Sequence, residues 1–354
     1  MVDMKTAVVI FLFFFCFLLA ACSTKETYND CSTFSFEDFK ADTVLTCTPV
    51  DFDDPVMLPM VLAVKDSLLF VQNIKTEYLL SVYNFNTKKK IKDCMPFGMG
   101  PEEYLRIKNI QIIDTVLYVY DSQKRTISHY GIHHLLHSDS PEAFRRISLK
   151  EHFNQIVSCG EQYAAITMNP TQKRVSIFSD DGEFLQTYGD YPRIHRTLSP
   201  VENNQSFISE LTYVPGNGNL FVFCMQTDLI EIYNLDGYLK KRLQGPDLFY
   251  PHIKEVQLQN GYSKIASEKG KSRDAYFTPL TVNDRIYVSY SGEYREPGKI
   301  NYIQNILVFD NEGNPLIRYR SPKPILRFTV CPDTYAIYAI CDQPEYHIVK
   351  LSTR

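Results

Sequence analysis

The stretch Leu220-Phe221-Val222-Phe223, followed by Tyr233-Asn234-Leu235-Asp236-Gly237-Tyr238, decides the fold. The first run is continuously apolar, as expected of a strand covered on both faces. The second ends a strand on an aromatic residue and turns on Asp-Gly, a dipeptide that tolerates the positive φ of tight hairpins. Both features recur. The turn returns as Tyr83-Asn84-Phe85-Asn86-Thr87, Phe178-Ser179-Asp180-Asp181-Gly182-Glu183 and Phe309-Asp310-Asn311-Glu312-Gly313-Asn314, with a degenerate copy at Tyr130-Gly131. The apolar strand returns at Leu68–Val71, Val116–Tyr120, Tyr163–Ile166, Ile286–Tyr290 and Tyr335–Ile340, which makes six copies. Polar turns such as Lys65-Asp66-Ser67, Asp114-Thr115 and Asn283-Asp284 precede most of them.

A third feature closes the unit. Gly98-Met99-Gly100-Pro101, Gly189-Asp190-Tyr191-Pro192, Gly245-Pro246 and Ser321-Pro322 are read as strand ends, where the chain crosses to a new sheet. Four antiparallel strands in a repeat of roughly 50 residues, arranged radially, make a β-propeller blade. The predicted class is therefore all-β, a six-bladed β-propeller over residues 41–354. The last unit stops after Tyr346–Leu351, its third strand. Thr43-Val44-Leu45-Thr46-Cys47 near the N-terminus is expected to supply the missing outer strand and to hide both edges.

Composition fits such a chain and excludes several functions. Tyr (24) and Phe (23) carry all the aromatic content, and both favour strands; there is no Trp. Net charge is −4 with no basic block or stripe, which argues against a nucleic-acid partner. The nine cysteines are widely scattered and form no CxxC, so most read as buried thiols acting as small hydrophobes. A Cys31–Cys47 bridge is the one pairing considered.

The N-terminus has its own signature. Lys5 leads an apolar stretch from Ala7 to Ala20, and Leu19-Ala20-Ala21-Cys22 follows. Positive start, apolar core and small residues before a cut are the parts of a secretory signal. The run is shorter than the roughly 20 residues a membrane span needs. Leu-Ala-Ala-Cys resembles the bacterial lipobox. The resemblance implies a signal peptide over 1–21, lipidation of Cys22, a polar tether over 22–40 and an outer-membrane lipoprotein facing the periplasm or the cell surface.

As a whole, the chain resembles the TolB-like six-bladed β-propeller lipoproteins. The lipobox, the six blade cores and Phe97-Gly98-Met99-Gly100-Pro101-Glu102-Glu103-Tyr104 after the first blade carry the resemblance. The Asp-box of sialidases and the Trp-Asp of WD40 repeats both need Trp, and kelch repeats need Gly-Gly; none is present.

No HExxH, GxSxG, Walker loop or CxxC pair announces catalysis. Candidate ligand-binding residues are those on the crossover loops, which open on the face of a propeller that carries the central pocket. Glu102, Glu103 and Arg106 follow the first Gly/Pro crossover, where carboxylates suit a cation or sugar hydroxyls. The alternative is that Gly98, Gly100 and Pro101 shape the turn and the acids cap it. Arg193, His195 and Arg196 occupy the equivalent place after blade three and suit an anion. His133, His134 and His137 form the densest histidine cluster, and on a helix His133 and His137 would share a face that could bind a metal, but the segment is read as an exposed insertion, and no metal or cofactor is predicted. Asp180, Asp181, Asp236 and Asp310 belong to hairpins on the opposite face. The reading is a lipid-anchored envelope propeller, held to the membrane through Cys22, that binds a protein or glycan partner. Its rival is a metal-dependent hydrolase of the lactonase type, with a site in the central pocket.

Overall fold

The structure, a computed structural model, describes residues 25–258, 263–296 and 303–353. Cys22 and the signal segment lie outside them. Six four-stranded antiparallel sheets follow one another along the chain. Blade one spans Pro59–Pro96, blade two Ile107–Ser148, blade three Phe153–Tyr188, blade four Ser209–Gln244 and blade five Tyr276–Ile325. Blade six takes three strands from Arg327–Ser352 and its fourth from Thr46–Pro49. The first strand of every blade lies innermost and touches the first strand of the next, and blade six meets blade one, so the ring is closed.

The six apolar runs are the second strand of each blade, and most of their residues are buried. Burial between adjacent sheets explains why they lack polar alternation. The turns into them hold the predicted backbone: Asp66 and Asp114 have φ near +50°, and Asn283 and Asp284 are both positive, as a type I′ hairpin requires. Gly182, Gly237 and Gly313 sit at φ +83°, +90° and +80° in the outer hairpins. At Gly237 an added Cβ would also fall 2.7 Å from the Tyr188 ring, so both conformation and packing demand glycine. After Tyr130-Gly131 no tight turn follows. A short helix, α1 (Ile132–His137), replaces it.

Three details differ from the sequence reading. First, the closing strand is Thr46–Pro49; Ala41–Val44 instead adds a fifth, parallel strand to the outer edge of blade five. Ser32–Thr33 does the same on blade four. The segment before blade one is therefore a strap across three consecutive blades, and it is bound to the ring from Glu26 onward, whose N–H donates to Leu248 O at 2.9 Å. Second, Ser321-Pro322 does not end a strand. It lies inside Pro315–Ile325, at a register shift between Ile303 and Asn305 of the neighbouring strand. A bulge on an outer strand is where a proline can be accommodated. Third, Cys31 and Cys47 are not bridged. All seven described cysteines are free, and these two sit beside different blades.

The widest gap between hairpins, from 233 to 309, contains an insertion. A two-stranded hairpin, Ile253–Gln257 with Ser263–Ser267, rises from the blade-four-to-five crossover and packs against α2 (Pro200–Ser206) in the preceding crossover. Ser199 caps α2 by accepting from Glu202 N, while Glu202 accepts from Ser199 N. This capping box fixes where the crossover becomes helical.

Candidate functional site: the mouth of the central channel

The innermost strands enclose an axial cavity of about 600 Å³. Its wall shows how the blades are held in register. Each innermost strand turns one edge toward the axis, and edge N–H and C=O groups must find partners. Side chains from the preceding blade supply several. Asn109 donates through Nδ2 to Ile156 O (2.8 Å) and Gln111 Oε1 accepts from Ser158 N (2.9 Å). Asn154 donates to Ser209 O (2.8 Å) and Gln155 Oε1 accepts from Leu211 N (2.6 Å). Glu210 Oε2 accepts from Thr278 N at 2.6 Å. Polar residues on these strands thus link blades two, three, four and five.

At the crossover-face end the wall becomes charged. Lys108 and Arg327 stand near the starts of their innermost strands and line the cavity with Glu210. A second cavity of about 750 Å³ opens beside it, between blades two and three, lined by Arg106, Lys150, His152 and again Lys108. Lys108 is therefore the shared wall. Its ammonium has no hydrogen-bond or ion-pair partner among the described residues. Burial holds its pKa below the usual lysine value, repulsion from Arg106 and Arg327 adds to that, and only Glu210 opposes it. The two cavities carry four cations against two carboxylates, Glu210 and Glu151, in a chain of net charge −4. Both carboxylates already accept hydrogen bonds, Glu151 from Gln172 Nε2 at 2.8 Å.

Thr278 adds a strained backbone to the same wall. It has φ +54°, which is unfavourable for a β-branched residue, and its buried hydroxyl has no partner among the described residues. Such a conformation costs about 1–3 kcal/mol and persists where the surroundings impose it.

The residues singled out from sequence are dispersed over this face. Arg106 lies in the second cavity. Glu102 does not: its carboxylate accepts from Tyr130 OH (2.9 Å) and pairs with Arg146 (3.0 Å) on the outer strand of blade two. Glu103 Oε2 accepts from Gly100 N at 2.6 Å, and a Cβ on Gly98 would collide with that carboxylate. Glu103 thus caps the Gly-x-Gly-Pro loop, and Lys124 ties the loop down by donating to Gly100 O and Glu103 O. Arg193 and His195 line neither cavity. His195 packs beside the Tyr250 ring at 5.6 Å, and Arg196 pairs with Glu202. The His133 and His137 rings stack at 4.3 Å on the outer side of blade two. Among the described residues no group of three His, Cys, Asp or Glu could hold a metal ion.

Sequence reasoning missed Lys108, Glu210, Thr278 and Arg327. A signal existed: each lies early in the strand preceding an apolar core strand, at a position where polar residues recur.

Fold and site together define a six-bladed β-propeller with an axial cavity open at a basic mouth on its crossover face. A family model described as "TolB-like 6-blade propeller-like" matches residues 35–333, and the chain belongs to that family. No curated protein matches it. Among solved structures it is similar to a member of the DUF4221 family from Bacteroides vulgatus, with a TM-score of 0.54, 8% identity and 87% of this chain covering 95% of that one. A putative exported protein from Bacteroides fragilis gives 0.52, with 11% identity and coverage of 90% and 99%. A streptogramin B lyase gives 0.50, with 10% identity and coverage of 88% and 98%. At these identities the likeness is one of fold.

Proposed function

We propose that this protein is a lipid-anchored binding module of the bacterial cell envelope, which takes its ligand or partner at the mouth of the central channel. The observation that carries the reading is the channel mouth itself. A part-buried ammonium with no partner among the described residues and a threonine of strained backbone line a preformed cavity, and such groups are retained where a ligand completes the site. The lipobox at Leu19–Cys22 supports the anchor, and the structural likeness to a Bacteroides fragilis protein described as a putative exported protein agrees with an envelope location.

The test is capture. The chain from Ser23 onward includes the whole ring, so it serves as bait for envelope extracts and glycan mixtures. A component retained by this protein and released by Val61→Trp, which fills the channel wall, supports the reading. Nothing retained, or retention indifferent to Val61→Trp, would sink it.

A further inference from the structure

We infer that the channel mouth binds an oxyanion, a phosphate or carboxylate group carried on a small ligand, with Lys108 as the central contact between the two cavities. The inference rests on the binding-module reading and gives it a chemical class.

Geometry comes first. Two cavities of about 600 and 750 Å³ meet at one side chain, so a ligand large enough to span them must pass that ammonium. Arg106 and Lys150 stand on one side of it and Arg327 on the other. Arg327 is held in place, donating to Leu326 O at 2.8 Å, with its guanidinium 5.3 Å from the Phe277 ring centroid. Among the described residues no carboxylate pairs with Arg106, Lys108 or Lys150, although ion pairs abound elsewhere.

Energetics point the same way. A part-buried cation without a partner is destabilising, and the nearby arginines make it worse. Folding repays only part of that cost: Glu210 attracts the ammonium but makes no ion pair with it, and one of its oxygens accepts the Thr278 N–H. An incoming oxyanion would neutralise Lys108 and offer acceptors to Arg106 and Arg327. Charge-assisted bonds to a group already desolvated are the strong kind. A cationic ligand would meet the repulsion of four basic side chains, and a neutral one would leave Lys108 as it is.

Two anionic probes carry the chemistry from different sources: inorganic pyrophosphate and trigalacturonate. A neutral trisaccharide is the control, and titration calorimetry is the measurement. Both or either anion should bind at low salt and weaken as ionic strength rises. Lys108→Met should lower that affinity about tenfold or more, the loss expected for one charge-assisted contact. Lys108→Arg should keep it within about threefold. Lys108→Met should also melt no lower than the unaltered protein, because it removes an unpaired cation. Equal binding of neutral and anionic probes, no anion binding at all, or unchanged affinity in Lys108→Met would overturn the inference. A neutral envelope ligand captured in a Val61→Trp-sensitive way would then leave the binding-module reading standing.

Discussion

At the scale of single residues, two buried groups set opposing pH dependences. Asp228 is fully buried behind the blade-four-to-five crossover, where it accepts from the backbone N–H groups of Asp247, Leu248 and Phe249. Burial pushes its pKa up to about 6, although those hydrogen bonds pull the other way. The folded state therefore holds this proton more tightly than the unfolded chain. Its contribution to stability is full below about pH 4 and is lost as pH rises through 6. His129 is buried in blade two, 2.9 Å from the Tyr163 hydroxyl, and burial lowers its pKa to about 4, with Arg145 adding repulsion. Its contribution is present above about pH 6.5 and is lost as pH falls toward 4. Each shift corresponds to about 3 kcal/mol across nearly the same window, so the two largely cancel. Asp228→Asn should expose a stability that rises with pH between 4 and 6.5, and His129→Gln one that falls. Chemical denaturation of both variants at pH 4.5 and 7 measures this. Slopes of the same sign in the two variants would refute the assignment.

At the scale of elements, the strap and the innermost strands show what the sequence disclosed and what it withheld. The second strands were legible because burial on both faces leaves an unbroken apolar run, as in Leu220–Phe223. The outer hairpins were legible from Asp-Gly. An N-terminal closing strand followed from counting strands in the last unit. The exact partners were not legible, because Ala41–Val44 and Thr46–Pro49 are adjacent, short and similarly polar, and which blade edge each meets is set by the path of the chain around the ring. The innermost strands were harder still. Asn109, Gln155 and Glu210 serve the backbone of a neighbouring blade 47, 56 and 68 residues away, distances no local periodicity records. That is also why the channel mouth escaped notice while Glu102 and Glu103, conspicuous in their Gly/Pro loop, turned out to be engaged in ion-pairing and capping. The strap has a measurable role. Leu45 is 3% exposed, packs into the core shared by blades five and six, and donates its N–H to Arg320 O at 2.9 Å. Leu45→Ala should cost about 3 kcal/mol through the cavity it leaves. The neighbouring Val44→Ala, at a side chain 48% exposed, should cost under about 0.5 kcal/mol. Equal midpoints for the two variants in urea would show that the strap is dispensable.

At the scale of the whole molecule, the strap fixes which face an anchor would hold toward the bilayer. Glu26 sits on the crossover face. Its carboxylate accepts from Tyr250 N and contacts His252 Nε2, and Gln244 Nε2 donates to its carbonyl at 2.7 Å. Three residues lie between it and Cys22, a reach of at most about 14 Å even when fully extended. A lipid on Cys22 would therefore hold the ring close to the membrane by its crossover side, not at the end of a long leash. Side chains on that side suit an apolar neighbour. Phe97 and Met99, in the crossover after blade one, are 59% and 77% exposed. Scattered apolar exposure is ordinary, but these two lie within one crossover loop. The opposite face carries the outer hairpins, including Tyr238 at 70% exposure. Two introduced cysteines, Met99→Cys and Tyr238→Cys, each read as labelling above that of the unaltered chain with its own free thiols, separate the faces. In membranes bearing the lipidated protein, a bulky maleimide should label Tyr238→Cys at least about tenfold faster than Met99→Cys, because the bilayer obstructs only the crossover side. In the chain from Ser23, with no lipid, the two rates should converge, since both sites are exposed in the ring itself. A Met99→Cys site labelled as fast on the membrane as off it would mean that the ring presents its channel mouth away from the bilayer.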